Sequence, residues 1–78
     1  MLLERCTWPE VEAYLGRSTG IVLPVGSVEQ HGPNGLIGTD AICAEAVATL
    51  AAERADALVA PCLRVGIAQH HLAFAGTL

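Results

Sequence analysis

The sequence predicts an α/β chain: one βαβ unit with parallel strands and flanking helices. Two apolar runs rich in β-branched residues, 20–26 and 57–65, read as strands. Between them an alanine-rich stretch, 41–54, repeats its larger apolar residues at helical spacing. A strand, a helix of that length and a second strand imply a right-handed crossover and therefore a parallel pair. With 78 residues there is room for one small domain, and a domain of that size buries only a modest share of its surface.

The first helix is announced by a capping box. In Thr7-Trp8-Pro9-Glu10, Thr7 is placed to cap the helix and Glu10 to reach back to its backbone. Pro9 suits the first turn, where its missing N–H is not needed. Val11, Tyr14 and Leu15 make a short apolar stripe, with Trp8 and Tyr14 as packing anchors, and Gly16 stops the helix. The run GIVLPVG follows at 20–26. Pro24 within it cannot donate to a ladder, which puts the strand near a sheet edge or ends it.

Residues 27–39 are punctuated by Gly32, Pro33, Gly35 and Gly38, and no regular element fits them. A loop this long is more often functional than a bare connection, and this one carries a carboxylate, an imidazole and an amide. Thr39 or Asp40 then caps the second helix, whose Ile42, Cys43, Ala46, Val47 and Leu50 form one apolar face for the core. The second strand, ALVAPCLRV, has Pro61 inside it, and residues 66–78 read as a loop holding the other two histidines.

Apolar residues make up 53% of the chain and charged ones 15%, with a mean hydropathy of +0.49. Such a chain is expected to carry more apolar surface than it can bury, and so to pack against further protein or to oligomerise. The net charge of -4, with no basic cluster, sets aside nucleic acid and anionic membranes as partners. The opening MLLERCTWPE lacks the apolar core of a signal peptide, and the longest low-charge stretch, 20–28, is too short for a bilayer. Cys6, Cys43 and Cys62 are far apart and odd in number. They read as buried free thiols of a reducing compartment, and the expected location is cytoplasmic. Neither Cys43 nor Cys62 has an obvious base beside it, so both are expected in the core.

Chemistry concentrates in Glu29, His31 and Asp40. In an extended segment, residues two apart point to one side, so Glu29 and His31 would share a face. Asp40, at the start of the second helix, would meet them beyond the strand ends, where sites form in open α/β sheets. Imidazole nitrogen mixed with carboxylate oxygen suits zinc, manganese or iron. Each residue has a plainer reading too: a solvated glutamate, a hydrogen-bonding loop histidine, a helix-capping aspartate. Ser27 lacks a G-x-S-x-G setting and reads as a loop hydrogen-bonder, while Gly26 and Gly32 permit backbone turns beside the candidate ligands.

The run Pro24-Val25-Gly26-Ser27-Val28-Glu29-Gln30-His31-Gly32-Pro33, followed by Gly38-Thr39-Asp40, resembles the P-x-G-S-x-E-Q-H-G-P and T-D signature of the creatininase family. A second block, Gly66 to Thr77, more loosely resembles that family's G-x-S-x-x-H-x-x-F-P-G-T segment. The resemblance runs from about Thr7 to the end, and implies an N-terminal, incomplete piece of a creatininase-like α/β fold over residues 1–78. It implies a divalent-metal amidohydrolase with two ions per complete site, zinc with manganese as the alternative. On the matching positions, Glu29 would hold one ion and His31 the other, with Asp40 bridging, and the two cations would acidify a water for attack on an amide carbonyl. His71, on the family's histidine, would line the substrate site, with His70 an exposed neighbour. No catalytic residue beyond the metal ligands is expected within the chain.

Two departures fall in the second block: Ala68 stands where the family has serine, and Ala75 where it has proline. In the first, Asn34-Gly35 replaces a His-Leu pair often found there, so substrate preference is open. Family enzymes are a few times longer, with a further histidine and glutamate among their ligands. The chain alone is therefore expected to be inactive or nearly so. Its substrate would be a small molecule with a cyclic or linear amide C–N bond, and the complete enzyme a homo-oligomer, as in hexameric relatives. The competing expectation is a non-catalytic module that binds metal or a partner and needs a second chain.

Overall fold

The computed structural model describes all residues, Met1–Leu78. Helix α1 (Trp8–Leu15) leads to strand β1 (Ile21–Val22), helix α2 (Thr39–Ala55) and strand β2 (Leu58–Val59), with single 3-10 turns at Leu3–Arg5 and Gln69–His71. The strands pair in parallel, Ile21 with Leu58 and Val22 with Val59, so the expected βαβ unit is present. No helix is long and apolar enough to cross a membrane.

Both strands are far shorter than the apolar runs that announce them. Pro24 and a slip in register are the reason. Ala60 N–H donates to Val22 O at 2.8 Å, then Leu63 N–H reaches Pro24 O at 2.9 Å and Gly26 N–H reaches Leu63 O at 3.1 Å. The two runs stay side by side, and a further parallel bridge joins Val25 to Leu63. Pro24 supplies no N–H between these points, and the register slips by one residue between the Val22–Val59 and Val25–Leu63 pairs, so the ladder is broken in two. One pairing went unannounced. Val59 N–H donates to Met1 O at 2.8 Å, and Leu2 bridges Val59 in parallel, so the chain start lies beside β2.

Helix α1 starts as its capping box requires, with the Glu10 carboxylate accepting the Thr7 N–H at 2.7 Å. Of its two expected anchors only Tyr14 is buried, whereas Trp8 is 76% exposed. Tyr14 ties three elements together: its hydroxyl donates to Gly20 O at 2.6 Å, just before β1, and accepts the Leu58 N–H of β2 at 3.2 Å.

Helix α2 differs from its expected form in two ways. It begins at Thr39 with Gly38 as the flanking residue, so neither Thr39 nor Asp40 caps it. Thr39 instead donates its hydroxyl to Leu36 O at 2.6 Å. The helix ends where Asp56 turns left-handed (φ 51°) and the Ala57 N–H caps Ala52 O at 2.9 Å. Its buried face is also not the expected one. Ile42, Cys43, Ala46, Val47 and Leu50 are all exposed, and the helix packs through Ala41, Ala48 and Ala52. Ala48 and Ala52 form a core with Val59, with Leu2 and Ala57 against it. Alanine has no side chain beyond Cβ, so this face brings the helix close to the sheet and leaves the larger residues outside. Cys43 is thus an exposed thiol, while Cys62 is half-buried with its Sγ 3.7 Å from Ala41 O.

Replacing Tyr14 with Phe leaves the buried Leu58 N–H without its acceptor, a loss of about 1–3 kcal/mol. Urea titration should show a lower midpoint at unchanged slope. An unmoved midpoint would mean that the phenol does not tie the strands together.

Candidate metal centre

The site is built where β1 gives way to loop and α2 begins. Gly26 leaves the strand hard against the first turn of α2: a Cβ there would stand 2.5 Å from the Asp40 carbonyl carbon and oxygen, and 2.6 Å from Ala41 Cα. Only a residue without a side chain fits. The next residue, Ser27, donates its hydroxyl to Asp40 Oδ2 at 3.0 Å, which makes it the expected hydrogen-bonder and fixes one carboxylate oxygen. Asp40 lies in the first turn of α2, where the unpaired N–H groups favour a negative charge.

Residues 27–38 fold back on themselves. The Glu29 N–H donates to Ile37 O at 3.1 Å, and a tight turn joins the Gly35 N–H to Gly32 O at 3.3 Å. Gly32 adopts φ +76°, and Gly35 packs against the His31 backbone where a Cβ would overlap it. The last residues close over this loop. The Leu78 N–H donates to Val28 O at 2.8 Å, and the Gln30 N–H to Thr77 Oγ1 at 3.1 Å.

His31 and Asp40 are brought together, with His31 Nε2 lying 3.6 Å from Asp40 Oδ1. The other ring nitrogen, Nδ1, is 3.1 Å from the Glu29 carbonyl oxygen. A carbonyl only accepts, so Nδ1 carries a proton, and in the neutral ring this turns the Nε2 lone pair to the carboxylate. A lone pair facing a carboxylate is repulsive unless a cation lies between them. Two ligand atoms about 2.1 Å from one zinc-like ion at a tetrahedral angle stand about 3.4 Å apart. The donor types, the tautomer and the spacing therefore fit a divalent metal.

Glu29 is not grouped with His31 and Asp40. The segment is loop rather than strand. Glu29 Oε2 instead faces His71 Nε2 at 4.0 Å. The ligand atoms of Glu29, His70 and His71 all lie within 4.8 Å of one another, a second group able to hold a cation. The expected ligands thus divide between two adjoining positions. His70, exposed as expected, has its ring 4.1 Å from that of His71, tilted by 47°, and belongs to this second group. Gln30 was not singled out, although it links the groups: its amide nitrogen is 3.0 Å from His71 Nδ1, and its oxygen accepts the Gly32 N–H at 2.8 Å. Its place between Glu29 and His31 was the available signal.

Beside the site lies an open cleft of about 440 Å³. Gln30, His31, Pro33, Ile37 and Phe74 contribute to its walls, and His71 does not. That volume suits a small molecule or a short peptide end.

The chain shares its fold with solved creatininases. One described as creatininase with Mn has 35% identity and a TM-score of 0.88, covering 99% of this chain and 32% of that one. Another, a mutant creatininase of the Zn-Zn type, has 34% identity and a TM-score of 0.87 with the same coverage. The family model described as Creatininase: Creatinine amidohydrolase matches residues 4–78, and the chain belongs to the creatininase family. A mycofactocin precursor peptide peptidase of Mycobacterium tuberculosis is 39% identical over 71 residues, covering 78% of this chain and 28% of the relative. The creatinine amidohydrolase of Pseudomonas putida is 41% identical over 61 residues, covering 77% and 24%. The chain thus spans about a quarter to a third of the length of these relatives.

Gly26→Ala should push the first turn of α2 off the strand end, at a cost of about 1–3 kcal/mol or more. Metal affinity should fall along with the unfolding midpoint. A variant of wild-type stability and affinity would show that the close approach does not set the site.

Proposed function

We propose that this chain forms part of the metal centre of a creatininase-type amidohydrolase that cleaves an amide C–N bond in a small molecule or short peptide. Glu29, His31 and Asp40 are the protein ligands, zinc or manganese the metal. The observation that carries this reading is His31 Nε2 facing Asp40 Oδ1 at 3.6 Å while its Nδ1 meets the Glu29 carbonyl, a nitrogen and a carboxylate oxygen at the spacing one divalent cation takes. Family membership supports it, as do relatives described with Mn and of the Zn-Zn type. Divalent cations in such a site polarise a carbonyl and make water a nucleophile at neutral pH. The chain's own residues do the holding: Glu29 O fixes the His31 ring through Nδ1, Ser27 fixes Asp40 through Oδ2, and the neighbouring cleft admits substrate.

The two relatives above act on creatinine and on a precursor peptide, as their names state. Both names describe cleavage of an amide bond, and the substrate class proposed here is no narrower. Three protein ligands for two ions leave each under-coordinated, so the chain alone should bind metal weakly and turn over little or nothing.

A second reading, a module that needs a partner chain, draws on one specific observation. Only eight of 78 residues are buried, and the exposed face of α2 includes Val47 at 67% and Leu50 at 64%. Further protein surface, from a longer chain or an oligomer, would cover it.

Zinc titration of the purified full chain at equilibrium decides the metal reading. Affinity should collapse in Asp40→Ala and persist in Glu53→Ala, on the exposed side of α2. The loss should exceed the roughly 10–100-fold that removal of an outer partner causes. Zinc affinity in Asp40→Ala equal to wild type would remove Asp40 from the site.

A further inference from the structure

We infer that His71 is a positioning residue for Glu29, holding its proton on Nε2 and turning that N–H to the carboxylate, with its tautomer imposed by Gln30. The chain of hydrogen bonds leaves one assignment. The Gly32 backbone N–H donates to Gln30 Oε1 at 2.8 Å. A backbone N–H only donates, so the amide oxygen must sit there and the amide nitrogen must face the other way. That nitrogen lies 3.0 Å from His71 Nδ1. An amide NH2 only donates, so Nδ1 accepts and is bare. The neutral ring then carries its hydrogen on Nε2, the atom 4.0 Å from Glu29 Oε2.

At 4.0 Å the pair is just beyond direct hydrogen-bond reach. A small rotation of either side chain, or one bridging water, closes it. Both groups are well placed for this, with the His71 side chain 24% exposed and that of Glu29 18% exposed. The ring is flanked by the tilted ring of His70 at 4.1 Å and by the edge of Phe74 at 6.4 Å. Gln30 is itself held at its backbone by Thr77 Oγ1 at 3.1 Å.

Proximity alone would make His71 a ligand beside Glu29 and His70. The tautomer says otherwise, because a protonated Nε2 has no lone pair to give a cation and Nδ1 is taken by Gln30. His71 orients one oxygen of Glu29 and leaves the other for metal, as outer partners of metal carboxylates do. His31 holds the opposite tautomer, so the two histidines are sorted into ligand and positioner by what each Nδ1 meets. The positioning role rests on the proposal that Glu29 binds metal; the tautomer does not.

The test is nitrogen NMR of the 15N-labelled full chain, above the usual imidazole pKa, without metal. His71 should show a bare Nδ1 and a protonated Nε2, and His31 the reverse. In Gln30→Glu the new carboxylate accepts, so His71 should switch its proton to Nδ1 while His31 is unchanged. A wild-type His71 protonated on Nδ1, or no switch in Gln30→Glu, overturns the tautomer. Zinc titration then tests positioning: His71→Ala should lose roughly 10–100-fold in affinity, and His71→Gln, which keeps an N–H donor, should recover most of it. Unchanged affinity in His71→Ala overturns the role. A wild-type chain that binds no zinc overturns the role together with the metal reading of Glu29, while the nitrogen assignments still decide the tautomer.

Discussion

The absence of a side chain at Gly26 is the constraint on which the candidate site depends. It lets the first turn of α2 lie against the end of β1, with backbone atoms closer to the empty Cβ position than any other residue would allow. Everything chemical follows within a few residues. Ser27 reaches Asp40 because the strand end and helix start are in contact, and His31 reaches the other oxygen because the loop returns across the same point. The Ala41–Ala48–Ala52 face does the same work along the rest of the helix. Close approach, rather than a large apolar core, is how this chain places its carboxylate.

That economy explains which parts of the fold were legible in the sequence. The βαβ order was, because strand and helix periodicities differ and need no partner to be seen. The capping box at Thr7 and Glu10 was, because it is local. The face of α2 was not. On an alanine-rich helix the larger apolar residues mark a stripe, and burial is assumed to follow size, but here the buried stripe is the smallest one. Strand length was misjudged for a related reason: apolar runs signal burial, whereas pairing needs an N–H that Pro24 lacks. The pairing of Leu2 with Val59 joins residues 57 apart in the chain, and nothing in the first few residues announces it.

The site was legible in its residue types and not in its grouping. Glu29, His31 and Asp40 stand out as donors in any reading, and the resemblance to a metal-dependent family ordered them further. Glu29 faces His71 while His31 faces Asp40, in a loop that turns back at Gly32 and Gly35. His70 and His71 entered only because the chain's last residues fold back, with Leu78 bonded to Val28 and Thr77 to Gln30. No periodicity encodes a contact of that kind.

Neighbouring hydrogen-bonding groups, one backbone and one side chain, settle what the histidines can do. A carbonyl at His31 Nδ1 frees Nε2 for a cation, whereas an amide nitrogen at His71 Nδ1 leaves Nε2 a donor. Both outcomes trace to the same short run, since Glu29 supplies the carbonyl and Gln30 supplies the amide. Glu29-Gln30-His31 is therefore a unit in which each member has a separate task, and Gln30 at its centre touches no candidate ion. Replacing that glutamine would leave every candidate ligand in place, yet it would change whether the nitrogen facing Glu29 carries the proton. The chemistry of the site is carried as much by the group that assigns the protons as by the groups that would hold the metal.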